Sequence, residues 1–321
     1  MSTQANAKTL FLTVAGTQFA YRLIGNSTPA AAGSPPLLLL NHFRSTIDLW
    51  DPLLVDGIVA GGRQVITYDY SGVGLSGGEV KLSIREFAAD VIAFLTSLLP
   101  TLPNNVTNVD VLGFSIGGHV AQQLVLDAPD LVNKLVLAGT GPSGSLGTPR
   151  HPPMAEVQTG IMGAAPDGAA TADAFFPSFI ARDEGNAWLG RITAGGRAAT
   201  AGKNGEPPFA FFLTGPGLPR LIRAYLGWDA EPLPYALLQT VQKPVLVTAG
   251  DNDLIVGTPN SFELARQIPN ANFVMFPGSG HGHLFQYAEF YAKQVTSFLN
   301  GEFPAAPKVA GVIAPLGSQG L

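Results

Sequence analysis

The chain has 321 residues, of which 46% are hydrophobic and 13% charged, with a formal net charge of −5 and no cysteine. So apolar a composition predicts a large buried core and excludes a disordered chain, while the absence of cysteine excludes disulfides, thiolate metal sites and a cysteine nucleophile. The acidic balance, without any basic block, argues against nucleic acid and anionic membrane surfaces as partners.

Met1 to Lys8 is polar, no secretory signal is visible and no apolar run reaches membrane-spanning length, so a cytoplasmic location is expected. Phe11 to Val14 and Phe19 to Leu23 flank Ala15-Gly16-Thr17 and predict a β-hairpin. After a loop rich in Ala, Gly, Ser and Pro, Leu37 to Leu40 is a continuous apolar run, as a strand buried on both faces requires. It ends in Asn41-His42-Phe43-Arg44-Ser45-Thr46. Trp50 and the apolar positions after it predict a helix broken near Gly61-Gly62, and Gln64 to Tyr68 a strand ending at Asp69. Gly72-Val73-Gly74-Leu75-Ser76-Gly77 has the spacing of a dinucleotide fingerprint, but that motif must open a helix directly. Here the helix starts later, at the capping box Ser83-Ile84-Arg85-Glu86, with Phe87, Val91, Leu95 and Leu98 continuing one apolar face. The glycines therefore read as a tight turn, and no cofactor is expected.

The stretch Val109 to Ala121 organises the rest. A short apolar run ends in Gly113-Phe114-Ser115-Ile116-Gly117, and a helical pattern follows at once through Val120, Ala121 and Leu124. In this strand–turn–helix context the pattern reads as a nucleophile elbow. The turn leaves no room for flanking side chains, the serine sits on strained backbone, and the helix brings its unpaired N–H groups to the same spot. Lys134 to Gly141 is a further buried strand, and the alternation of strands and helices marks a doubly wound, mostly parallel sheet.

At Pro142 the rhythm stops. Residues 142–240 are rich in Gly, Pro and Ala but carry aromatic clusters that include Phe175, Phe176, Phe179, Trp188, Phe212 and Trp228. Disordered segments lack aromatics, so a small, mainly helical cap is expected, with Phe176 and Trp188 as candidate substrate-binding residues. The sheet pattern resumes at Pro244 to Gly250, followed by Asp251 and Asp253, a helix opened by Thr258-Pro259, and a strand Phe273 to Phe276 that ends in Pro277-Gly278-Ser279-Gly280-His281-Gly282-His283. Tyr287, Tyr291, Val295 and Phe298 mark a last helix. The expected organisation is a core of residues 1–141 and 241–300, a cap of 142–240 and a tail of 301–321.

A serine hydroxyl is a weak nucleophile and needs a base, which in turn needs an orienting carboxylate. Candidates stand at three strand ends, where a doubly wound sheet places its site: Ser115, then Asp251 and Asp253, then His281 and His283. The pair His281-Gly282-His283 has the form of a metal pair, but no carboxylate or cysteine completes a site beside it, so no metal is expected. His119 reads as a packed or capping histidine and His151 as a solvated one.

These motifs together resemble the α/β-hydrolase fold family from about Phe11 to Leu299. The segment Gly113 to Gly118 resembles its elbow, Gly250-Asp251-Asn252-Asp253 the loop bearing its acid, Gly280-His281 its histidine loop, and Asp69 to Ser76 its turn after the fourth strand. Asn41 to Arg44 with Trp50-Asp51-Pro52 is similar to a group of bacterial and fungal hydrolases, many labelled only as hydrolases or cofactor-free peroxidases. The resemblance implies an eight-stranded sheet and a triad of Ser115, His281 and Asp253, with Asp251 as the other carboxylate to weigh. It also implies an oxyanion hole from the N–H groups of Ile116 and Phe43. His42 stands where relatives usually have glycine, and either meets the substrate or packs against the Asp69 loop. The implied activity is cofactor-independent hydrolysis of an ester, lactone or similar acyl bond in a small hydrophobic molecule. Carbon–carbon hydrolysis, perhydrolysis and a low-turnover receptor use the same framework, and the oligomeric state is left open.

Overall fold

A computed structural model describes residues 1–26, 34–144, 175–176 and 178–303. Its centre is one sheet of eight strands: β1 (Leu10–Val14), β2 (Thr17–Ile24), β3 (Leu37–Leu40), β4 (Val65–Tyr68), β5 (Val109–Phe114), β6 (Val132–Ala138), β7 (Val245–Gly250) and β8 (Ala271–Phe276). The order across the sheet is β1-β2-β4-β3-β5-β6-β7-β8. β2 runs antiparallel to both β1 and β4, and every other neighbouring pair is parallel.

The apolar runs are continuous because the central strands are covered twice. Leu37, Leu39, Leu112, Phe114, Val136 and Ala138 share one core with α1 (Pro52–Ala60) and α9 (Ala288–Leu299). Their alternates Leu38, Leu40, Val109, Val111, Leu135 and Leu137 share the other with α2 (Ile84–Leu98) and α3 (Ile116–Asp127). Side chains alternate along a strand, so a strand buried on both faces is apolar at most positions, and a polar one there needs a partner, as Asp110 of β5 has in Arg63 and Asn133. Ser83 caps α2 as expected, its Oγ accepting from Glu86 N at 3.2 Å, while Glu86 Oε2 reaches back to Leu82 N, one residue before the cap, at 3.0 Å. Trp50 stays outside α1, which begins at Pro52 because Asp51 caps it by accepting from Leu53 N at 3.0 Å.

The described part of 142–240 carries α4 (Ser178–Thr193), α5 (Gly217–Trp228) and α6 (Pro232–Leu237) and, among the described residues, no strand. This cap reaches both cores, Trp188 and Ile192 of α4 joining one and Leu221, Ala224 and Trp228 of α5 the other. α7 (Thr258–Gln267) and the short α8 (His283–Gln286) complete the chain order before α9. His151, the side chain of Phe179 and the tail beyond 303 lie outside the described residues. Among the described residues no helix is long and apolar enough to cross a membrane.

β3 has β4 on one side and β5 on the other, so the winding direction reverses there. Doubly wound sheets open a crevice at the carboxyl ends of strands beside such a reversal.

Candidate active site

Ser115 sits between the end of β5 and the first residue of α3, with φ 56° and ψ −121°. That is a strained conformation for a residue with a side chain, and the neighbouring glycines make it possible. A Cβ on Gly113 would stand 2.3 Å from Gly117 O, and one on Gly117 would stand 2.2 Å from Leu40 O. The amino end of α3 is therefore pressed onto the end of β3, and the N–H of Ile116, as the first helical residue, has no acceptor within the helix.

The loop after β3 is fixed from beneath. Asn41 donates to Tyr68 O at 3.0 Å and accepts from Trp50 Nε1 at 2.6 Å. Asp69 accepts from Ile47 N at 2.8 Å and Leu75 N at 2.9 Å. Burial pushes the Asp69 carboxyl up to about 7 against the pull of those two N–H groups. A Cβ on Gly74 would stand 2.3 Å from Asp69 Oδ2, so the glycine-rich turn closes directly over this carboxylate. Asn41, then, packs against the Asp69 loop, and His42 does not stand in that place.

Of the two carboxylates after β7, Asp253 is buried and its Oδ2 lies 2.8 Å from His281 Nδ1. Its Oδ1 accepts from Ile255 N at 2.9 Å and Val256 N at 3.0 Å. Burial alone would raise this carboxyl, but the charge and hydrogen bond of His281, with the two N–H groups, hold it below the usual range. Asp251 is exposed and accepts from Gly278 N at 2.9 Å and Ser279 N at 3.0 Å, tying the histidine loop to the carboxylate loop. His283 is buried below, with Nε2 3.0 Å from Thr248 Oγ1 and Nδ1 3.2 Å from His281 O. Burial pushes its pKa down to about 3.

Ser115 and His281 line one small cavity together with His42, Phe43, Arg44, Phe175, Phe212 and Ile255. The fixed geometry thus joins His281 to Asp253 by a hydrogen bond and sets Ser115 in the same cavity wall. Phe176 and Trp188 lie one layer back: Trp188 is fully buried, its ring 5.6 Å from Phe175 and stacked on Phe285 at 5.4 Å. The aromatic side chains of the described cap that reach the cavity are Phe175 and Phe212. Sequence reasoning missed these two, along with Arg44 and Ile255. Arg44 does carry a structural signature, a φ of 65°, and it is paired with the cap through Leu213 N to Arg44 O at 2.8 Å and Arg44 Nε to Leu213 O at 2.9 Å. No local pattern announces contacts between segments so far apart in the chain. His119 is a packed residue, stacked on Tyr225 and Trp228 at 5.8 and 5.4 Å. Among the described residues no group of three or more His, Asp or Glu side chains is arranged to hold a metal ion.

An elbow serine, a carboxylate-bound histidine and a helix N-terminus at the carboxyl edge of a mostly parallel sheet are what the family comparison bears on. The model of the α/β-hydrolase fold matches residues 35–286, and the chain belongs to that family. A solved α/β-hydrolase fold protein from Chitinophaga pinensis is 30% identical, with a TM-score of 0.76 over 93% of this chain and 99% of that one. Among curated relatives, a poly(3-hydroxyalkanoate) depolymerase from Ectopseudomonas oleovorans is 29% identical over 86% of this chain and 89% of its own length. A protein provisionally named carbamate hydrolase RutD, from Pseudomonas savastanoi pv. phaseolicola, is 26% identical over 84% of this chain and 96% of its own length. Family and relatives alike support a hydrolase.

Proposed function

We propose that the protein is a cofactor-independent serine hydrolase that cleaves an ester, lactone or similar acyl bond of a small hydrophobic substrate. The observation that carries this reading is the 2.8 Å bond between His281 and Asp253 in a cavity whose wall also holds the elbow residue Ser115. The names of the two curated relatives, a poly(3-hydroxyalkanoate) depolymerase and a protein provisionally named carbamate hydrolase, agree with a hydrolase.

In this mechanism Ser115 Oγ attacks the carbonyl carbon as it comes within hydrogen-bond reach of His281 Nε2. His281 takes the hydroxyl proton and then delivers it to the leaving group, and Asp253 fixes the ring with Nδ1 protonated and stabilises the imidazolium. The tetrahedral oxyanion is met by the N–H groups of Ile116 and Phe43, donors held in place before the charge develops. Water then attacks the acyl-enzyme by the same route in reverse. The phenylalanine walls exclude bulk water and suit an apolar acyl group.

A panel of p-nitrophenyl esters of increasing acyl length tests the reading. Wild type should hydrolyse at least the short members, and Ser115→Ala should lose on the order of 10⁴ to 10⁶ in kcat. Addition of peroxide with a halide acceptor separates perhydrolysis from hydrolysis. Ester turnover that survives in Ser115→Ala would overturn the assignment.

A further inference from the structure

His42 has one ring nitrogen accounted for and one that is not. Its Nδ1 lies 3.2 Å from the carbonyl oxygen of Phe43. A carbonyl only accepts, so Nδ1 carries the proton and Nε2 keeps a bare lone pair. Burial, with His281 nearby adding to it, pushes the pKa of His42 down to about 3, so the ring stays neutral at ordinary pH. Nε2 is buried without a hydrogen-bond partner among the described residues. Around the ring pack Phe114, Phe175, Phe212 and Phe285, with centroids 5.2, 5.1, 6.2 and 6.4 Å away, and none of them has a donor to offer. His42 is also one of the residues lining the cavity that holds Ser115 and His281. A buried acceptor left bare costs stability, and among the described residues the open space beside His42 from which a donor can come is the cavity.

We infer that His42 Nε2 accepts a hydrogen bond from the substrate, and that the preferred substrates are acyl compounds with an O–H or N–H donor close to the scissile carbonyl. The inference deepens the serine-hydrolase reading and rests on it. A nitrogen this reluctant to bind a proton is a poor general base, so the contact selects and orients and leaves proton transfer to His281. Discrimination follows from the same physics, because a donor-bearing ligand gives Nε2 the partner it lacks and an analogue without the donor leaves it unpaired.

Binding to Ser115→Ala, read by calorimetry, separates recognition from turnover. Two matched pairs serve as probes: methyl β-hydroxybutyrate against methyl butyrate, and phenyl N-methylcarbamate against phenyl N,N-dimethylcarbamate. The donor-bearing member of at least one pair should bind about tenfold tighter, the effect of one hydrogen bond, and the pair that does so tells O–H from N–H. Adding His42→Phe, which keeps a ring and removes the acceptor, should abolish the preference; adding His42→Gln, whose amide oxygen accepts, should restore part of it. Independently of any His42 variant, nitrogen NMR of the Ser115→Ala protein should find Nε2 unprotonated and moving upfield when the donor ligand binds. No preference in either pair, a preference that survives His42→Phe, or an Nε2 signal already shifted in the free protein, as a resident water would give, overturns the inference. Hydrolysis lost in Ser115→Ala without selectivity overturns this inference alone; hydrolysis retained in Ser115→Ala overturns the underlying mechanism instead.

Discussion

Asp253 Oδ2 lies 2.8 Å from His281 Nδ1, and the two loops that bring them together meet because Gly250 has no side chain: a Cβ there would stand 2.2 Å from Gly280 O. Asp251, two residues earlier, accepts from the backbone of Gly278 and Ser279 at 2.9 and 3.0 Å. One carboxylate holds the imidazole and the other holds the loop that carries it.

Asp253→Asn should therefore cost about 10⁴-fold in kcat/KM, because an amide cannot fix the ring with Nδ1 protonated. Asp251→Asn should mainly cost stability, about 1 kcal/mol for a weakened exposed hydrogen-bond pair. Steady-state kinetics of both variants on one ester, beside their thermal melts, checks the ranking. The reverse order would transfer the orienting role to Asp251.

Two glycine substitutions should have opposite signs. Gly117→Ala forces Leu40 and the loop after β3 to move, since its Cβ would stand 2.2 Å from Leu40 O; the expected cost is about 1–3 kcal/mol or more, with activity lost. Gly190, exposed in α4, has nothing within 4 Å of an added Cβ, and Gly190→Ala should stabilise by about 0.5–1 kcal/mol with unchanged kinetics. Chemical denaturation of the two variants reads both signs.

These glycines also explain how much of the site was legible in the sequence. Gly113, Gly117 and Gly250 are required by the local path of the backbone, so a short motif reveals them and with them Ser115, the carboxylate loop and His281. The choice between Asp251 and Asp253 was harder, because two carboxylates in one loop carry no periodic signal and only the position of the histidine loop separates them. The cavity wall was harder still. Phe175 and Phe176 are neighbours in the chain, yet one lines the cavity and the other packs behind it, and Phe212 reaches His42 only through the folding of the cap onto the β3 loop. Buried strands were legible for the opposite reason: coverage on both faces leaves a mostly apolar run, unbroken in β3 and interrupted in β5 only by the paired Asp110.

The wall makes its own prediction. Phe175→Ala and Phe212→Ala should shift acyl-length preference across an ester panel toward bulkier groups. Trp188→Ala and Phe176→Ala should chiefly destabilise, by about 3–5 kcal/mol each, because they empty a packed layer behind the cavity. A preference changed by Trp188→Ala but untouched by Phe212→Ala would contradict this division.

Acid should destabilise the fold through His42 and His283. Their folded values of about 3 lie below the ordinary 6.5, so an unfolded chain takes up protons there that the folded one refuses. Their contribution is intact above about pH 6.5 and is lost as pH falls toward 3, by about 1.4 kcal/mol per pH unit for each histidine. The slope of unfolding free energy between pH 6 and 4 should therefore be shallower by about one proton in His42→Phe and in His283→Gln. An unchanged slope in both variants would contradict the burial of neutral imidazoles.

The central claim, that Ser115 is the nucleophile, is met most directly by labelling with a fluorophosphonate and mapping the adduct by mass spectrometry. One equivalent should attach at Ser115, ester hydrolysis should fall in step with labelling, and Ser115→Ala should remain unlabelled. An adduct mapped to another residue, or full hydrolysis in protein labelled to completion at Ser115, would contradict the account.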